Sequence, residues 1–132
     1  MRTKIVLFIM LVFIIKVNAQ SPNWTWVNSN GGTDYDWGQS VASDAIGNTV
    51  VVGAFYSPTI VFGSTVLTNP NAGKYTSFFV RYDINGNVIW AKQPITVGGT
   101  HYNRATGVSI DNLNNIYITG VYNATTITFD TI

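Results

Sequence analysis

The chain has 132 residues, with seven Lys or Arg against six Asp or Glu and no cysteine. Beyond residue 19 only Lys74, Arg81, Lys92 and Arg104 remain, scattered among six Asp, so the clustered cations that displace counterions from phosphates are missing and nucleic-acid binding is excluded. Disulfide staples are excluded too, and a composition without Glu but rich in Gly, Asn, Thr, Val, Ile and aromatics favours strands and tight turns over helices.

Residues 1–19 read as a secretory signal peptide: Arg2 and Lys4, the apolar run Ile5 to Ile15, Lys16, and the small-residue site Val17-Asn18-Ala19. The run is far shorter than the roughly 20 residues of a membrane-spanning helix, so no permanent membrane span is expected. Cleavage after Ala19 leaves Gln20 as the N-terminus of an exported chain, secreted or held at the cell surface.

Residues 20–132 read as a partial β-propeller. Residues 31 to 65 lie on residues 98 to 132 at a constant offset of 67, matching Gly31, Gly32, Tyr35, Val41, Asp44, Asn48, Gly53, Ile60 and Phe62 to Gly98, Gly99, Tyr102, Val108, Asp111, Asn115, Gly120, Ile127 and Phe129. Self-similarity at a fixed period marks units that bury apolar faces against their own copies. The expected division is a leading strand and loop over 20–36, a complete repeat over 37–103 and an incomplete repeat over 104–132.

In chain order, Trp24 to Val27 is expected as a strand, because Trp26-Val27 before Gly31-Gly32 matches Trp90-Ala91 before Gly98-Gly99. Ser40 to Ser43, Thr49 to Tyr56, Ser77 to Tyr82 and Val88 to Lys92 follow as four strands of one blade, each a β-branched or aromatic run bounded by Asp, Asn or Gly. Thr49 to Phe55 is apolar on both faces, as a strand covered on both sides is. Thr59 to Phe62 and Ser64 to Leu67 around Gly63 form an accessory hairpin, and Ile116 to Tyr122 repeats the second strand.

Asp44 to Asn48, Asp83 to Asn87 and Asp111 to Asn115 share Asp first and Asn fifth, the pattern of a hairpin turn with Asp capping the reversal. In an up-and-down sheet these turns share one end. The long connections, Ser57 to Thr76 and Gln93 to Asn103, share the other, where a binding site is expected.

The segments Trp26 with Gly31-Gly32, Val41 to Asp44 with Gly47-Asn48 and Gly53, Ile60 to Gly63, and Ser77 to Asp83 running through Asn85-Gly86-Asn87 to Lys92 resemble the SBBP family of bacterial β-propeller repeats. The resemblance covers nearly all of residues 24 to 132. It implies an exported, Bacteroidetes-like propeller with no defined reaction, often joined to a C-terminal sorting domain.

No catalytic constellation stands out. His101 is the one candidate general base near neutral pH and sits in a loop where the other copy has Asp34. Asp83-x-Asn85-x-Asn87 opens like a calcium loop but continues with Val88 and Pro94 where Gly and Glu belong, so hairpin closure explains it and no metal or cofactor is expected. Tyr35, Trp37, His101, Tyr102 and Arg104 gather on the long-loop side with Asp34 and Asp36, a setting suited to a glycan or peptide ligand. Tyr35 and Tyr102 recur and are read as packing between blades, leaving Trp37, His101 and Arg104 as the ligand-face positions.

The sequence therefore predicts an all-β fold of four-stranded antiparallel blades, serving as a non-catalytic binding or scaffold module. The alternative is a piece of a propeller enzyme whose catalytic residues lie on further blades. Ring closure takes roughly 4 to 8 blades, so remaining blades are an expected partner, and alone the chain is expected to expose the apolar faces of Val50 to Phe55 and Ile116 to Tyr122.

Overall fold

The structure is a computed structural model that describes residue 21 and residues 23–71, 73–100 and 102–130. The signal-peptide reading, its cleavage after Ala19, and His101 lie outside the described residues. Among the described residues no helix is long and apolar enough to cross a membrane.

The described residues form strands β1 (Asp36–Ser43), β2 (Thr49–Phe55), β3 (Thr59–Phe62), β4 (Thr65–Thr68), β5 (Thr76–Tyr82), β6 (Val88–Lys92), β7 (Ile95–Val97), β8 (Arg104–Ile110), β9 (Ile116–Val121) and β10 (Thr126–Thr128). The first blade is the antiparallel sheet β1-β2-β5-β6, with the β3-β4 hairpin inserted between its second and third strands. Antiparallel β8-β9 is the first half of the second blade. The fold is all-β and built from propeller-type blades.

β1 starts earlier than its sequence suggests. Asp36-Trp37-Gly38 pairs with Gly53 to Phe55, and the ladder then shifts register between Gly38 and Ser40. The Asp and Gly of this early segment read locally as loop signals, and the β-bulge follows them. The second blade repeats the irregularity between Ala105 and Gly107. Trp24 to Val27, by contrast, forms no strand. A fourth strand needs a third beside it, and among the described residues none lies there; Trp26 instead packs on Tyr82, ring centroids 5.4 Å apart.

Each blade face has its own core. Val50, Val52 and Phe79 meet Ala105 of the second blade, with Trp90, Val108, Ile110, Ile116 and Ile118 around them. On the opposite face Phe55, Phe78, Val80 and Tyr82 are covered by Ile60, Phe62 and Leu67 of the accessory hairpin, with Trp26 against them. Trp26 thus stands to the first blade as Trp90 stands to the second. The expectation that Val50 to Phe55 is exposed does not hold: Val50, Val52, Ala54 and Phe55 are fully buried, because the second blade covers one face and the accessory hairpin the other. Tyr117 and Val121 of β9 do remain exposed, since no further blade lies against them among the described residues.

A second sheet ties the repeats together. β7, read from sequence as loop, pairs antiparallel with β10 of the next repeat through Thr126↔Val97, Ile127↔Thr96 and Thr128↔Ile95. The β7-β10 pair is therefore a hydrogen-bonded strap between the two repeats, and with the β3-β4 hairpin it accounts for a repeat longer than the roughly 40 to 50 residues of common blades.

Candidate functional site

The three Asp-to-Asn turns are one device used three times. Asp83 Oδ1 accepts the amides of Asn85 and Asn87, both at 2.8 Å, and its Oδ2 accepts Asn87 Nδ2 at 2.9 Å. Asp44 and Asp111 repeat every bond with Ile46 and Asn48, and with Leu113 and Asn115. Gly47, Gly86 and Asn114 take the left-handed backbone that the reversal requires. These bonds hold the Asp83 and Asp111 carboxyls below the usual range, the side-chain bonds from Asn87 and Asn115 contributing most. At Asp44 burial works the other way, and the bonds from Asn48, Arg81 and Ile46 outweigh it.

At the opposite end of the sheets lie the long connections. Here Asp36 is a brace: Oδ2 accepts the Gly32 amide at 2.6 Å and the Ser57 hydroxyl at 2.7 Å, and Oδ1 accepts the amides of Tyr56 and Ser57, both at 3.1 Å. Ser57 is fully buried and its hydroxyl accepts the Asp34 amide. Asn103 holds the equivalent place in the second repeat, where its Oδ1 accepts the Asn123 amide at 3.1 Å. Asp36 is thus fully engaged in fixing the start of β1 against the end of β2.

Above the brace is an aromatic cluster that crosses the seam between the blades. Tyr75 is its hub, meeting Trp37 at 4.9 Å, Tyr56 at 5.1 Å and Tyr102 at 5.1 Å, all edge-to-face. Arg104 lies over the Tyr102 ring, 5.3 Å from its centroid. Backbone pairing fixes the hub, since the Asn103 amide donates to the Tyr75 carbonyl at 3.3 Å and Tyr75 bridges to Tyr102. Asn103 Nδ2 and Arg104 Nε are buried without a hydrogen-bond partner among the described residues.

Of the ligand-face positions read from sequence, Trp37 and Arg104 join through Tyr75 and Tyr102. They occupy equivalent positions in the two repeats. Tyr102 packs at the seam while half-exposed, whereas Tyr35 stands apart with its side chain in solvent. Tyr56 and Tyr75 were missed. The signal for them is register: Phe55 pairs with Thr76, so the residues just outside that pair meet at the long-loop end.

Over 121 residues, 89% of its length, the chain is 31% identical to an uncharacterised WD repeat-containing protein of Acanthamoeba polyphaga mimivirus. The likeness is to a β-propeller-type repeat. The chain spans 8% of that protein's length. No family model matches the chain. The sequence has no Trp-Asp dipeptide, the per-blade cue of WD40 repeats, so the likeness rests on the blade rather than on that motif.

Proposed function

We propose that the chain is the leading part of an exported, SBBP-type β-propeller that acts as a non-catalytic binding or scaffold module, taking a glycan or peptide on its long-loop face. The observation that carries this reading is the Trp37, Tyr56, Tyr75, Tyr102 and Arg104 cluster. It joins two blades at the end where connections are long, and presents half-exposed aromatic surface beside a cation. Aromatic faces with a few polar groups suit sugar rings and extended peptides. The WD repeat relative supports a protein-interaction role of the propeller kind.

The test is binding of the full chain to a glycan array and a peptide library, repeated with Trp37→Ala and Arg104→Ala. Specific ligands lost in both variants, with melting temperature little changed, support the reading. Ligands retained by both variants overturn the placement of the site. Export is tested by N-terminal sequencing of the secreted product, which should begin at Gln20; retention of the intact precursor inside the cell contradicts it.

A further inference from the structure

The accessory hairpin turns at Gly63, and its tip, Gly63 to Thr65, lies beside the Asp83 turn, at the end of the sheet away from the long connections. Asn28 to Asn30 passes the same turn, with Asn28 Nδ2 donating to the Gly86 carbonyl at 2.6 Å. Between these segments lies a cleft of about 380 Å³, within the roughly 300 to 1,000 Å³ of small-molecule sites. Its polar side chains are Asn28, Asn30, Ser64, Thr65 and Asn87, and among the described residues no charged one lines it.

The three asparagines are held in the same way. Asn30 Nδ2 donates to the Tyr82 hydroxyl and Asn87 Nδ2 to Asp83 Oδ2, both at 2.9 Å, so with Asn28 the fold engages each amide nitrogen and leaves each Oδ1 carbonyl as an acceptor. Ser64 and Thr65 add two hydroxyls, each able to donate and to accept. Both oxygens of Asp83 are bound within its own turn. The cleft therefore offers neutral carbonyl and hydroxyl oxygens, with neither a free carboxylate for a hard cation nor a cation for an anion. Its walls are fixed, since Gly63 and Gly86 take the left-handed backbone and a Cβ on Gly86 would stand 2.8 Å from the Trp26 ring.

The seam between the two repeats shows that a neighbouring blade leaves this place open. Matching Trp26 to Trp90 makes Lys92 the counterpart of Asn28, and the offset of 67 makes Asp130 the counterpart of Gly63. Lys92 and Asp130 form an ion pair there at 3.7 Å, and the Asp130 side chain is 75% exposed although the blade beside it has all four strands. What sets the first seam apart is its small, uncharged residues. We infer that the rim cleft is a saccharide-binding site, taking a neutral sugar ring whose hydroxyls donate to the carbonyls of Asn28, Asn30 and Asn87 and exchange hydrogen bonds with Ser64 and Thr65. A sugar ring presents several adjacent hydroxyl donors without charge, which is the complement of three fixed acceptors and two hydroxyls. The site lies at the opposite end of the blade from the long-loop aromatic cluster and does not depend on what that cluster binds.

The experiment follows the full, isotope-labelled chain by NMR while the methyl glycosides of glucose, galactose, mannose and N-acetylglucosamine are added one at a time. At least one is expected to saturate below about 10 mM, a weak but specific affinity. It should shift the side-chain amides of Asn28, Asn30 and Asn87 and the backbone amides of Ser64 and Thr65. Glycerol, which offers hydroxyls without a ring, should not saturate. Ser64→Ala and Thr65→Val should each weaken binding about 2- to 10-fold, the scale of one hydrogen bond. Gly63→Asp combined with Asn28→Lys, which copies the ion pair of the other seam, should abolish it; the two hairpin-tip variants keep the test decisive if that double variant fails to fold. No saturation by any of the four glycosides, or an affinity unchanged by both tip variants, would overturn the inference. Shifts confined to Trp37, Tyr75, Tyr102 and Arg104 would overturn it too, while supporting the long-loop face as the ligand site.

Discussion

Asp44, Asp83 and Asp111 each bind their turn as acceptors, so their ionised form belongs to the folded state. Their carboxyls lie lower in the folded chain than in the unfolded one. The stabilisation is therefore fully present above the unfolded value of about 3.9 and is lost as pH falls through the lower folded values. Asp83→Ala is expected to lower the melting temperature at pH 7, by an amount that shrinks when the comparison is repeated near pH 3. An undiminished gap in acid would show that the charge plays no part. Gly53 makes a second residue-scale case. A side chain there meets the Trp37 carbonyl and the Phe78 ring, so Gly53→Ala should cost about 1–3 kcal/mol by overpacking. Gly31→Ala, where the nearest atom is Asp36 Oδ2 at 3.9 Å, should be far milder. Denaturant melts of the two variants give the comparison, and equal losses would contradict the close packing of β2 on β5.

At the scale of elements, the blade was legible wherever a strand announces itself locally. Val88 to Lys92 and the three turns fall where their residues place them, because β-branched runs and Asx turns are short-range signals. What escaped depended on distant partners. Ile95–Val97 lies between Pro94 and Gly98-Gly99, which reads as loop, and becomes a strand only because β10 lies beside it. Trp24 to Val27 has the residues of a strand and lacks the neighbour. Of the ligand-face positions read from sequence, Trp37 and Arg104 lie in the aromatic cluster and His101 lies outside the described residues; Tyr102 was read as packing between blades, and Tyr56 and Tyr75 needed the β2-β5 register. The seam tests the packing itself. Phe79 is 4% exposed between the blades, so Phe79→Ala should cost about 3–5 kcal/mol in a denaturant melt. A loss below about 1 kcal/mol would mean that the second blade does not cover β5 in solution.

For the whole molecule, the duplicated unit sets a gradient of stability. The first blade has four paired strands, a core on each face and a strap to the next repeat; among the described residues the second has two strands, with Tyr117 and Val121 exposed. A strand paired on both edges and buried on both faces opens only with the global fold, whereas one with a free edge opens locally. The direct measurement is residue-resolved amide hydrogen exchange on the full chain. Val50 to Phe55 should exchange most slowly of all, while alternate amides of Ile116–Val121, on the edge away from β8, exchange rapidly. Exchange of β2 as fast as that of β9 would contradict a blade held between its neighbours.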